Sequence, residues 1–207
     1  MSDYLTLKKE SSDEFIEKRS RFIGYAKPVT TQEEAMDFIN TIRSKHWDAT
    51  HNVYAYVLRQ GQSRRYSDDG EPSGTAGVPV LDVLLKENIT DCVVVATRYF
   101  GGVLLGAGGL VRAYSHTSKI AVEAAGIIKM SVCSVMSVTC DYNFYGRLAS
   151  LVPEFGGITE QTDFGENVTV VFYLPKANEP LFEAKLVDLS FGKFSSVKLC
   201  EKYAEIE

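Results

Sequence analysis

The sequence predicts an α+β protein in two parts, residues 1–128 and 129–207. Three observations predict it. Strand-length apolar runs alternate with amphipathic helical stretches through the first part. The rhythm changes after Gly126, and the second part reads β-α-β-β-α-β, the order of a ferredoxin-like unit. Finally, 45% of the 207 residues are hydrophobic and 24% charged, which supplies enough apolar surface for packed cores. No apolar run approaches the ~20 residues a membrane span requires.

The elements follow in order. Residues 21–29 read as a strand. Thr31-Gln32-Glu33-Glu34 has capping-box spacing, and Ala35, Phe38, Ile39 and Ile42 follow at helical spacing, so a helix runs to about Lys45. His51–Arg59 reads as a strand with His51, Val53, Ala55 and Val57 on one face and Asn52, Tyr54 and Tyr56 on the other. The polar stretch 60–72 reads as turns. Ser73 or Thr75 is the expected cap of a second helix carrying Val78, Leu81, Leu84 and Leu85, with Pro79 tolerated only near its start. Val93–Tyr99 reads as a buried strand. A glycine-rich loop leads from it into a helix over Leu110–Ala125, ended by Gly126. In the second part, residues 136–140 read as a strand. Asp141 caps a helix stopped by Pro153, strands span 155–162 and 167–174, Asn178 caps a helix, and a strand spans 194–200.

Net charge is −5, which argues against a globally basic nucleic-acid binder but leaves room for a local basic face. The first part carries 15 basic and 16 acidic residues and the second 7 and 11, so a polyanion site belongs to the first. Cys92, Cys133, Cys140 and Cys200 form no C-x-x-C pair, and Cys92 and Cys140 read as small core residues. The first eight residues lack an apolar signal segment. The expectation is a reducing, cytoplasmic location.

Several constellations bear on chemistry. Nine of the 16 glycines fall between Gly61 and Gly109. Gly106-Ala107-Gly108-Gly109 before a helix is either a tight strand-to-helix turn or an anion cradle. It is neither a P-loop, since Ala107 follows Gly106, nor a complete G-x-G-x-x-G, since Val111 holds the last position. Asp68, Asp69 and Glu71 are readable as a solvated turn, as caps of the following helix, or as acid/base or metal groups. His51 reads first as a structural histidine. Arg112, His116 and Lys119 share a helix face, while Arg64-Arg65-Tyr66 and Arg98-Tyr99-Phe100 place guanidinium groups beside aromatics. No nucleophile elbow is present.

Lys18-Arg19-Ser20-Arg21-Phe22, His51, the run Ser67-Asp68-Asp69-Gly70-Glu71-Pro72-Ser73-Gly74-Thr75-Ala76-Gly77-Val78-Pro79 and the run from Thr97 to Tyr114 resemble the IMPACT/YigZ family. The resemblance covers about residues 18–128, and the remainder is similar to the small domain that bacterial members append. It implies that the first domain takes the α/β fold shared by a small-subunit ribosomal protein and domain IV of the ribosomal translocase. The second is expected to resemble that translocase's domain V. A eukaryotic relative restrains a starvation-sensing kinase through an extra N-terminal domain. The 207 residues leave no room for such a domain, so that role is not carried over. The expectation is a translation-associated regulator that binds RNA or the ribosome, with no cofactor, no metal and no assigned catalytic residues. The ligand-binding residues implied are His51, Asp69, Gly70, Glu71, Gly74, Thr75, Arg98, Tyr99, Gly101, Gly102, Gly106, Gly108, Gly109 and Arg112, gathered on one surface with two helix N-termini. The alternatives are an enzyme on a small phosphorylated substrate, using His51, Asp69 and Glu71, and a protein-interaction module without catalysis.

Overall fold

The computed structural model describes residues 2–206. It divides into two compact units: Tyr4–Ile128, and the residues from Lys129 onward together with Ser2 and Asp3. The first unit holds β1 (Tyr4–Leu7), β2 (Ser11–Glu17), β3 (Ser20–Pro28), α1 (Gln32–Lys45), β4 (His51–Leu58), β5 (Ser63–Ser67), α2 (Gly77–Lys86), β6 (Cys92–Tyr99) and α3 (Ala107–Ala125). The chain continues through β7 (Ile127–Cys140), α4 (Tyr142–Glu154), β8 (Ile158–Phe164), β9 (Val168–Pro175), α5 (Glu179–Ser190) and β10 (Ser196–Glu205).

The first unit's sheet runs β2-β3-β6-β4-β5, each neighbour antiparallel. Strand β6 is buried along nearly its whole length because it is flanked by strands on both sides and by helices on both faces. The alternation in β4 sorts its side chains as the sequence predicts. Val53, Ala55 and Val57 join Leu84, Leu110, Tyr114 and Ala121 beneath α2 and α3. Tyr54 and Tyr56 face the other way and pack with Phe38, Ile39 and Ile42 of α1. Thr31 caps α1 as its spacing requires, its hydroxyl accepting from the Glu34 amide.

In the second unit the strands are ordered β10-β7-β9-β8, again antiparallel, with α4 and α5 over one face. The order of elements is the predicted β-α-β-β-α-β. Asp141 caps α4 as expected.

Several expectations need correction. Strands β1, β2 and β5 lie outside the sequence expectation: β1, Tyr-Leu-Thr-Leu, is only four residues long, and the polar, charged sequences of β2 and β5 carry little alternating pattern, so that Ser-Arg-Arg-Tyr-Ser forms an edge strand whose partner supplies the order. β7 begins at Ile127 rather than 136, β8 at Ile158 rather than 155, and β10 spans Ser196–Glu205 rather than 194–200. Pro153 lies inside the last turn of α4 and does not end it. Asn178 does not cap α5 with its side chain; its amide donates to the Phe155 carbonyl instead.

One polar cluster fixes α1 to the sheet. His46 follows the last residue of α1, and its ring lies between two tyrosine hydroxyls: Tyr25 at 2.6 Å from Nε2 and Tyr99 at 2.9 Å from Nδ1. Tyr99 donates onward to Asp48 at 3.0 Å. His46 Nδ1–H must therefore donate to Tyr99. Nε2 lies within hydrogen-bond distance of Tyr25, and in the neutral ring it accepts from that hydroxyl. Burial lowers the His46 pKa below its usual 6.5, assisted by the positive charges of Lys45 and Arg21. The unfolded chain thus takes up this proton more readily than the folded one. The stability His46 confers is present above about pH 6.5 and is lost as pH falls below it. Denaturant unfolding of the wild type should lose stability between pH 7 and 5, and His46→Gln should flatten that dependence. Parallel profiles would mean that His46 titrates freely in the folded state.

Candidate functional site

The antiparallel sheet brings several chain segments to one end of the first unit. The C-terminal end of β6, the N-terminal ends of β3 and β4, and the end of β5 at Ser67 lie together by register. The connections leaving that end are the β2–β3 turn, loop 68–76 before α2, and loop 100–106 before α3. The two long motifs are therefore neighbours in the fold.

Beneath them lies a buried charged cluster. Arg98 Nη1 donates to Glu71 Oε1 at 2.6 Å, and the Tyr114 hydroxyl donates to the same oxygen at 2.7 Å. Arg98 Nη2 reaches Ser20 Oγ at 3.4 Å, which also accepts from the Gly101 amide. The rings of Phe22 and Phe100 lie 5.4 Å from the guanidinium carbon. Arg98 is only 5% exposed, Glu71 8% and Tyr114 0%. Burial, with the Glu71 charge beside it, raises the Tyr114 pKa far above the ordinary phenol value. Arg98 therefore does not present its charge on the surface, contrary to the expected ligand-binding role. Its Nε is the buried polar side-chain atom, among the described residues, left without a partner.

The neighbouring carboxylates are engaged in structure too. Asp68 accepts from the amides of Gly74, Ala76 and Gly77. It is Asp68, eight residues before Ala76, that satisfies the start of α2, and neither Ser73 nor Thr75 does so. Thr75 turns its hydroxyl to the Pro72 carbonyl. Asp69 receives Arg43 on Oδ1 at 2.7 Å and the Asn52 amide on Oδ2 at 2.6 Å. The His51 Nδ1–H donates to the Asp69 carbonyl at 2.7 Å, and Nε2 stands 3.8 Å from Glu71. Gly70 lies against that imidazole and Gly74 takes a positive φ in the same loop. Among the described residues no group of three His, Cys, Asp or Glu side chains is placed to hold a metal ion.

The glycine-rich loop is shaped by contact and by backbone angle. A Cβ on Gly101 would fall 2.1 Å from the Arg19 carbonyl carbon, so loop 100–106 seats directly on the β2–β3 turn. Gly106 has φ 68° and ψ 165° immediately before α3, a conformation that side chains resist. Gly102 also has positive φ, whereas Gly108 and Gly109 lie inside α3. No side chain caps α3. Arg112 is exposed, as are Lys18 and Arg19, which occupy the β2–β3 turn with φ 45° and 71°. The sequence reading did not include Lys18, Arg19, Ser20 or Tyr114 among the site residues. Tyr114 was legible only as core, because helical spacing marks burial and says nothing of its hydroxyl. Tyr99, expected at the face, instead serves the His46 cluster. Exposed Phe100 and Leu104 complete the face.

A buried Arg–Glu–Tyr cluster beneath a glycine-rich loop and a basic hairpin turn thus defines an α+β protein with a built surface at one end of its first sheet. Residues 18–122 match the Impact N-terminal domain and residues 138–193 a domain of unknown function, DUF1949. The chain is 37% identical over 93% of its length to the IMPACT family member YvyE of Bacillus subtilis, covering 89% of that protein. It is 33% identical over 89% of its length to YigZ of Escherichia coli, covering 92% of it. A solved structure described as a hypothetical protein aligns over 97% of this chain and 98% of its own, with TM-score 0.61 and 30% identity. The chain belongs to the IMPACT family.

Two predictions follow from this geometry. Glu71→Gln leaves the Arg98 charge buried without its counter-ion and should cost about 3–5 kcal/mol in denaturant unfolding; a loss below about 1 kcal/mol would mean that the pair is solvated. Gly101→Ala should cost about 1–3 kcal/mol through overpacking against the turn. Gly146→Ala, in the open interior of α4, should instead stabilise by roughly 0.5–1 kcal/mol. Equal effects at the two glycines would contradict the close approach at Gly101.

Proposed function

We propose that this protein is a translation-associated regulator that binds RNA, free or within the ribosome, through the end of its first sheet. The observation that carries this reading is the exposed cationic set Lys18, Arg19 and Arg112, beside exposed Phe100 and Leu104 and the uncapped first turn of α3. Among the described residues, none of these three cations is in an ion pair. Cations that track a backbone, beside an aromatic ring on which a base can stack, are the working parts of single-strand recognition. The family resemblance supplies the link to translation.

The reading divides the chain into domains 1–128 and 129–207. The first is assigned the ribosomal-protein and translocase domain IV fold, and the second a ferredoxin-like fold on the strength of its β10-β7-β9-β8 order. RNA contact belongs to the first, since acidic residues outnumber basic ones 11 to 7 in the second. Arg98 is left out of the RNA-binding set: it is consumed by Glu71. The phosphorylated-substrate alternative draws no support from Asp69 or Glu71, whose oxygens already accept from Arg43, Asn52, Arg98 and Tyr114. Arg112, with Lys18 and Arg19, replaces Arg98 as the charge to test.

Affinity for a single-stranded oligoribonucleotide should fall with salt, because phosphate contacts release counter-ions. Replacing Arg19 and Arg112 with Gln should flatten the log–log slope by about 0.7 per lost contact, with unchanged circular dichroism. An unchanged slope in the folded double variant would remove the proposed face from RNA binding.

A further inference from the structure

We infer that the cavity between β2 and α3 is a subsite for one phosphate-bearing nucleotide, an inference that rests on the RNA reading above and locates its phosphate. The cavity measures about 270 Å³, just under the ~300–1,000 Å³ typical of ligand pockets, a size that limits its occupant to a single nucleotide unit. Its walls come from four segments: Phe15 and Glu17 of β2, Lys18 of the turn, Leu105 of the glycine-rich loop, and Arg112 and His116 of α3. The Phe15 and His116 rings meet edge to face with centroids 4.6 Å apart, and Phe15 stacks in turn on Phe22 at 5.3 Å.

The chemistry of these walls is divided. Lys18 and Arg112 line the same cavity and, among the described residues, neither forms a salt bridge. The charged lining is two cations against the one carboxylate of Glu17, a net positive site that an anion stabilises. The Phe15–His116 pair offers an aromatic surface to a base. Glu17 offers an acceptor to a sugar hydroxyl or an exocyclic amine, which a bare phosphate cannot use. Lys18 and Arg19 both take positive φ, 45° and 71°, as the two-residue turn that closes the β2–β3 hairpin requires. Gly101, pressed on the Arg19 carbonyl, holds the turn in that conformation.

The test is an NMR titration of the full chain with three probes: adenosine 5′-monophosphate, adenosine, and a short oligouridylate. The monophosphate should shift the Gly109 and Ala113 amides, and adenosine at equal concentration should shift them far less. Lys18→Gln and Arg112→Gln should each weaken the monophosphate about tenfold, whereas Arg64→Gln, an exposed arginine on β5, should leave it unchanged. Amide spectra of the variants report their folding directly. Oligouridylate shifting the same amides supports the subsite with RNA as the source of the phosphate. A monophosphate response without an oligonucleotide response keeps the subsite and overturns the RNA reading. Oligonucleotide binding that shifts other amides only, or a monophosphate response equal to that of adenosine, overturns the subsite.

Discussion

Much of the first unit is organised by one oxygen atom. Glu71 Oε1 receives both Arg98 and Tyr114, and through them ties the loop before α2 to the central strand β6 and to the long helix α3. A carboxylate this deeply buried is tolerated only because both donors are in place, and a guanidinium this deeply buried requires the carboxylate. Ser20 extends the cluster to β3 and, through the Gly101 amide, to the glycine-rich loop. The two long motifs are thus written as separate segments of sequence but behave as one polar core. Their charges at Asp69, Glu71 and Arg98 are directed inward, and the outward face is left to the hairpin turn and the side of α3.

This division explains how an acidic protein presents a basic surface. The carboxylates of the loop before α2 point at amides and guanidinium groups: Asp68 at the start of α2, Asp69 at Arg43 and Asn52, Glu71 at Arg98. Each is offset locally by the donors it accepts from, and Glu71 is buried as well. Lys18, Arg19 and Arg112 remain exposed and outnumber Glu17, the carboxylate beside them, so the local field is set by the groups at this face rather than by the total.

The regular elements were legible where periodicity was strong. The α1 cap at Thr31, the two faces of β4, and the stripe Leu110–Tyr114–Ala121–Ala125 all appear as read. Ser63–Ser67 was not legible as a strand, because an edge strand of serines and arginines takes its conformation from its neighbour. The family and the closeness of the two motifs could be read from the residues. The roles within them could not: Asp68 caps a helix across eight intervening positions in sequence, and Arg98 looks the same in a sequence whether it faces water or Glu71. Burial decides between those roles, and burial is a property of the assembled sheet.

The strand order carries a consequence for how the chain acquires its shape. β6 is the central strand, yet it is the last of the five sheet strands to leave the ribosome. Until it emerges, the β2–β3 and β4–β5 hairpins have no common partner, and each exposes the edge that β6 will later occupy. Every pairing that joins the halves spans tens of residues, so the sheet closes against a substantial loop entropy. Folding of the unit is therefore gated by the synthesis of residues 92–99, and the nascent chain is most open to mispairing just before they appear.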